Sequence, residues 1–219
     1  MKSCLLFDID GTLTDSDHYH LIAFNAMLEP HDIQLTRDEF ITRASGRSNA
    51  VILADLLPHL DVDTHQDMAD AKEAAFREMA TSLHPLPGLL ALLDWADAHN
   101  VPCGAVTNAP RANADHMLEA LGLKHRFQVI VLAEELEFQK PHPLPYLTGL
   151  AQLGCDAAVS VGFEDSVSGL TAAVKAGLTT IGIMTSLGRA PVLDTGAQLA
   201  AKDYEDPALL DLVKATCGV

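Results

Sequence analysis

The sequence predicts an α/β fold, an open parallel sheet interrupted near its start by a helical insert. Three observations carry that prediction. Apolar runs of strand length recur along the chain, nearly continuous rather than alternating, as in strands buried on both faces. Amphipathic helical patterns separate most of these runs, and strand–helix alternation means an α/β sheet. Between Asp15 and Ser82, by contrast, there is no convincing strand, only helical patterns.

The first strand is the run Leu5, Leu6, Phe7, which ends in Asp8 and Asp10 and is followed at once by Gly11 and Thr12. In a strand, residues i and i+2 share a face, so the two carboxylates are expected to converge at the strand's end. Four helices follow, over 17–28, 36–43, 49–57 and 63–83. The last carries Met68, Ala71, Ala75 and Met79 as one stripe, with Phe76, Ala80 and Leu83 beside it. Asp63 or Thr64 is positioned to cap its start. Pro85 and Pro87 end that helix and stiffen the linker 83–88. These limits assign 16–83 to a helical cap, and 1–15 with 84–219 to the sheet-bearing core.

In the core, a helix over 87–99 leads to a strand over 101–107, and a helix over 111–121 to a strand over 127–132. A helix over 146–153, capped by Gly154, leads to a strand over 157–163. A helix over 166–176, with Gly177 just past its end, leads to a strand over 178–184. Ala197 to Lys202 is a weaker last strand. Asp206 and Pro207 open a final helix as N-cap and first residue.

With 219 residues, 48% hydrophobic and 20% charged, the chain can bury a sizeable core and fits a soluble globular protein. Thirty Asp and Glu against fourteen Lys and Arg give a net charge of −16. That argues against nucleic acid and anionic membranes as partners, because both need basic patches. A small anionic substrate is compatible, since it needs only a few local cations or a metal. The four cysteines, Cys4, Cys103, Cys155 and Cys217, form no CxxC pair and read as reduced thiols of a cytoplasmic protein. The start is too short, and too soon interrupted by Asp8, for a signal peptide. No run of about 18 apolar residues is present to cross a membrane. A monomer or weak homodimer is expected.

Sites in open α/β sheets form beyond the carboxyl ends of the strands. The first strand there presents Asp8 and Asp10, the second Thr107 and Asn108, and the fourth Glu164 and Asp165. Lys140, fixed by Pro141 and Pro143, stands between them in sequence. Carboxylates this close repel and shift one another's pKa, and a hard cation with oxygen ligands is the usual compensation. The set suits phosphoryl transfer. Asp8 can attack phosphorus and form an aspartyl phosphate. Magnesium held by Asp8, Glu164 and Asp165 would neutralise phosphate charge. Thr107 and Lys140 would bind the transferring oxygens. Asp10 would serve the leaving group as acid and then water as base.

The four segments, in this order, resemble the four motifs of the haloacid dehalogenase superfamily over nearly the whole chain. The resemblance implies a Rossmann-like core, a cap inserted after the first motif, Asp8 as nucleophile and Asp10 as acid/base. It also implies a Mg2+ ion held by the Asp8 carboxylate, the Asp10 backbone carbonyl, Asp165 and often Glu164. Residues 10–20 are similar to the same stretch of beta-phosphoglucomutases. Thr107 to Arg111, with Asn113 and the Lys140–Pro143 segment, look more like sugar- and glycerol-phosphate phosphatases. A mutase would carry a serine-rich, lysine-bearing loop where this chain has Asn108-Ala109-Pro110-Arg111. The implied activity is Mg2+-dependent hydrolysis of a small phosphorylated metabolite, a sugar or polyol phosphate. A phosphosugar mutase is the alternative, and a non-catalytic phosphate-ligand binding protein a remote one.

Each assignment competes with an ordinary reading. Lys140 could be a solvated surface lysine, and Glu164 and Asp165 could merely cap the helix that follows. His20, on the first cap helix, is assigned a substrate or hinge role against that of a histidine bonded to a neighbour. Arg47, beside Gly46 on a loop between cap helices, is assigned to substrate, as are Asn108 and Arg111. A phosphonate hydrolase would need a cap lysine for a Schiff base. Lys72 is the only lysine there, and its position on a long helix argues against that chemistry.

Overall fold

The computed structural model describes residues 2–219. Six parallel strands form one sheet: β1 (Leu5–Phe7), β2 (Cys103–Thr107), β3 (Val129–Leu132), β4 (Val161–Glu164), β5 (Thr179–Ile183) and β6 (Leu199–Ala201), in the order β3-β2-β1-β4-β5-β6. Phe7 pairs in register with Ala105 on one side and Phe163 on the other. The chain order reverses at β1, so a crevice opens beyond the ends of β1, β2 and β4. This is the Rossmann-like α/β arrangement, with a helical insert between β1 and β2.

The insert consists of α1 (Asp17–Leu28), α2 (Arg37–Arg43), α3 (Asn49–Leu56) and α4 (Val62–Met79). It has an apolar cluster of its own around Phe24, Leu28, Phe40, Ile52 and Leu53. Thr36 closes a capping box with Glu39 at the start of α2. The core helices are α5 (Leu89–Ala98), α6 (Arg111–Ala120), α7 (Leu144–Leu153), α8 (Val167–Lys175), α9 (Arg189–Asp194) and α10 (Pro207–Cys217). The period of β1 explains how they divide. Leu5 and Phe7 face a cluster built with α5, α6 and α10, while Leu6 faces one built with α7 and α8. Phe7 and Phe163 stack at 4.5 Å at the centre of the first cluster, both fully buried. Among the described residues, no helix is long and apolar enough to cross a membrane.

Several expectations need correction. The strands are shorter than the apolar runs: Val101 and Pro102 precede β2, and 157–159 form a 3-10 turn before β4. The last cap helix ends at Met79, and its N-cap is Asp61, which accepts from Thr64 N–H; neither Asp63 nor Thr64 caps it. Its buried face is His65, Ala69, Lys72, Glu73 and Phe76, rotated from the methionine stripe, and Ala71 is exposed. Helix α9 lies in a segment where Gly188, Pro191 and Gly196 mask its period.

Replacing Phe163 by Ala removes one half of the stacked pair and opens a cavity. The unfolding free energy is expected to fall by about 3–5 kcal/mol, measured by urea denaturation.

Candidate active site

Strand β1 stops at Phe7, and the chain turns at once through Gly11 (φ +68°). Asp8 and Asp10 both line the cavity beyond the strand's end, but they take different partners: Asp8 pairs inward with Lys140 of the core and Asp10 outward with His20 of the cap.

The inward group is built around Lys140. Its ammonium donates to Asp8 Oδ1 (2.7 Å), Glu164 Oε1 (2.6 Å) and the Val106 carbonyl (2.7 Å), which uses all three of its protons. Burial alone would lower the Lys140 pKa, but the Asp8 and Glu164 charges outweigh it and hold the ammonium above its ordinary range. Burial and the Glu164 charge push the Asp8 carboxyl up to about 8, against the pull of Lys140. Burial, followed by the charges of Asp17, Asp8 and Glu164, raises Asp165 well above the usual carboxylate range.

Oxygens of Asp8, Glu164 and Asp165 all lie within 4.8 Å of one another. Glu164 Oε2 is buried without a hydrogen-bond partner, while Oε1 takes protons from Lys140 and from Tyr146 Oη (2.7 Å). An orphaned carboxylate oxygen beside two other carboxylates fits a divalent hard cation. Two glycines make room for this set. A Cβ on Gly169 would overlap the Glu164 carboxylate, and one on Gly11 would overlap that of Asp165. Ser166 caps α8 by accepting from Gly169 N–H, so helix capping falls to Ser166 and leaves the two acids free. Ser186 Oγ lies 2.6 Å from both Asp165 Oδ2 and Asp17 Oδ2. Thr107 Oγ1 accepts from Ala109 N–H at the end of β2 and lines the cavity.

The outward group begins at Asp10, whose Oδ1 accepts from Ser16 Oγ (2.7 Å) and lies 2.9 Å from His20 Nε2. Burial would raise Asp10, but His20, Ser16 and Lys72 together hold it below its ordinary value. On the other side of the ring, His20 Nδ1 lies 2.9 Å from Lys72 Nζ. An ammonium can only donate, so Nδ1 accepts and Nε2 carries the proton toward Asp10. His20 also stacks on Phe76 at 3.9 Å, which fixes the ring plane.

The cap approaches through a backbone contact. The Gly46 carbonyl accepts from Asn108 Nδ2 (3.0 Å), and a Cβ on Gly46 would overlap Ser166 Oγ. Asp8, Asp10, His20, Arg47, Thr107, Asn108, Lys140 and Asp165 all line one cavity between cap and core. Glu164 lies beneath it, fully buried. Arg111 is not brought to this cavity. Its guanidinium pairs with Glu135 in solvent, 2.5 Å away, at the start of α6. Lys72 corrects the expectation the other way: it is buried in the cavity wall, donating to Glu73 as well as His20. Burial lowers its pKa against the opposing charges of Glu73 and Asp10, and its contacts to Glu73 and His20 keep the nitrogen engaged. Asn49, Glu73, Tyr146 and Ser186 also escaped sequence reasoning, and Asn113 entered it only as part of a resemblance, without a role. For Lys72 and Glu73 the available signal was that an i+3 step links them to Ala69 and Phe76 on the buried face of α4.

Comparison with known proteins agrees with this architecture. A family model described as haloacid dehalogenase-like hydrolase matches residues 5–183. The validoxylamine A 7'-phosphate phosphatase of Streptomyces hygroscopicus subsp. limoneus is 28% identical, over 85% of this chain and 87% of that protein. The fructose-1-phosphate phosphatase of Escherichia coli K12 is 28% identical over 82% and 95%. The beta-phosphoglucomutase of Bacillus subtilis is 29% identical over 94% and 91%. A solved hydrolase structure from Entamoeba histolytica superposes with a TM-score of 0.86 at 24% identity, over 98% of this chain and 99% of that one, a likeness of fold.

Gly169→Ala drives a methyl group into the Glu164 carboxylate. It is expected to destabilise the fold by about 1–3 kcal/mol in denaturant titration. It is also expected to weaken Mg2+ binding about tenfold, measured by titration calorimetry.

Proposed function

The chain belongs to the haloacid dehalogenase-like hydrolase family, and from that premise we propose that it is a Mg2+-dependent phosphatase of small phosphomonoesters, with sugar or polyol phosphates as substrates. One observation carries the reading: the buried Asp8–Lys140–Glu164 group beside Asp165, with one Glu164 oxygen left without a partner. Phosphatases of phosphorylated carbohydrates among the relatives support the substrate class, including one from Thermotoga maritima at 29% identity.

Asp8, Glu164 and Asp165, with the Asp10 backbone carbonyl, would hold the cation. A bound Mg2+ would offset phosphate charge and hold Asp8 ionised despite its burial. Lys140 fixes Asp8 Oδ1, leaving the second oxygen to attack phosphorus. As the Asp8–phosphorus bond forms and the ester bond breaks, Asp10 relays to the leaving oxygen the proton that the phosphate monoanion of the substrate brings in, and is left ionised. Thr107 donates its hydroxyl proton to a phosphoryl oxygen, while Lys140, its three protons already taken, acts by holding Asp8 and by its charge. In the second step Asp10 takes a proton from water, the water oxygen bonds to phosphorus, the Asp8–O–P link breaks and phosphate leaves. His20 and Lys72 hold Asp10 in position and favour its ionised form before the second step. The closed cap keeps bulk water from the first step.

The mutase alternative needs a second phosphate subsite in the loop after β2. Here the Ala109 N–H is taken by Thr107 Oγ1, Pro110 has none, and the Arg111 N–H is taken by Glu134 at 2.8 Å. The backbone N–H groups of residues 109–111 are thus not available to a second phosphate, which supports hydrolysis over transfer between sugar positions.

Phosphate release from a panel of sugar and polyol phosphates tests the reading. Asp8→Asn is expected to retain less than about one thousandth of wild-type turnover. Near-normal activity in that variant would remove Asp8 as nucleophile. Chelation with EDTA is expected to stop release and lower Tm, and Mg2+ to restore both, because a ligand of the folded state stabilises it.

A further inference from the structure

The cap side of the cavity holds a buried carboxylate that the phosphoryl-transfer steps do not use. Glu73 is 6% exposed and lines the cavity. Its Oε1 accepts from Asn49 Nδ2 (2.5 Å) and Lys72 Nζ (2.9 Å), and its Oε2 from Asn113 Nδ2 (2.5 Å). Burial opposes the charge, but Lys72, His20 and Asn49 outweigh it and keep the carboxyl below its ordinary range, so it is an acceptor at neutral pH. A carboxylate offers about four acceptor positions, and three are filled. Each amide nitrogen keeps a second N–H. Arg77 Nη1 occupies Asn113 Oδ1 at 2.6 Å and fixes which way that amide points.

The resulting patch presents one acceptor beside the Asn49 donor, with the fully buried Asn113 fixing the carboxylate from behind. Phe24, Phe40 and Ile52 supply apolar lining in the same cavity. Hydroxyl groups donate and accept in turn, and the C–H faces between them suit an apolar wall. An anionic leaving group meets a different balance. The Lys72 charge is already matched by Glu73, and the backbone N–H groups of Ala109 and Arg111 are engaged. With Lys140 matched by Asp8 and Glu164, Arg47 stands against Asp10 and Asp17, which also line the cavity.

We propose that Glu73 is a specificity-determining residue: it accepts hydroxyl hydrogen bonds from an uncharged, polyhydroxylated leaving group and disfavours leaving groups that carry a second negative charge. The proposal rests on the phosphatase reading. Glu73 and Asn49 come from the cap and Asn113 from the core, so the patch is complete only with the cap in its present position.

The test compares kcat/KM for phosphate release from sorbitol 6-phosphate and from 2-phosphoglycolate, using the full chain with Mg2+. Wild type is expected to prefer the polyol ester. Glu73→Gln is expected to shrink that preference about tenfold or more, mainly by raising KM for the polyol ester. Loss transmitted through Lys72 to His20 falls on kcat for both substrates and cancels in the ratio. Asn49→Ala is expected to shift the ratio the same way by about threefold, and it carries the test if the Glu73 variant does not fold. A ratio unchanged in the variants, or a wild-type preference for phosphoglycolate, overturns the role of Glu73 and leaves the phosphatase reading standing. No phosphate release from either ester or from the wider panel by wild type overturns that reading, and this proposal with it.

Discussion

Everything at the mouth of the sheet depends on one ammonium group. Three carboxylates are buried beyond the ends of β1 and β4, where their mutual repulsion and lost hydration would work against folding. Lys140 offsets two of them directly, and the Val106 carbonyl takes its remaining proton. Its position follows from topology: strands β1, β2 and β4 meet at the reversal of strand order, and the segment after β3 crosses above it. One lysine does not balance three acids. The residual negative charge is what a divalent cation would complete, and Glu164 Oε2 remains as the atom without a protein partner.

The cap repeats the arrangement with opposite emphasis. Lys72 is again buried, again paired with a carboxylate, and again uses its other protons on a functional group, here the His20 ring. The two lysines lie on the two sides of the substrate space, one fixing Asp8 and the other fixing Asp10 through His20. That division gives each of the two aspartates its own partner although both line the same cavity.

The core site was legible in the sequence because its residues sit where apolar runs stop. Asp8, Thr107 and Glu164 with Asp165 each close a run that cannot be anything but a buried strand, and the rule about strand ends then gathers them. Cap residues carry no such marker. Arg111 and Arg47 look alike on a line of sequence, each beside a turn residue; only the fold turns one to Glu135 in solvent and the other to the cavity. Lys72 and Glu73 were hidden for a different reason. Hydrophobic patterning assigns charged residues to the outside of a helix, so the methionine stripe of α4 drew the expected core face away from the buried one. A site that buries charges contradicts the pattern used to find faces. Tyr146 was read as an apolar residue of α7; its hydroxyl became meaningful only once Glu164 lay beside it.

Gly46 separates what is fixed in the cap from what is free. It meets the core through a carbonyl oxygen and a bare Cα, held by Asn108 and fitted against Ser166. On the cap side the docking point therefore has no side chain to exchange. Arg47 lies one residue away and Asn49 three, and both reach the substrate space. Such an anchor lets the residues beside it change with the metabolite while the contact between the two halves stays the same, so a change of diet for the enzyme need not be a change in how it shuts.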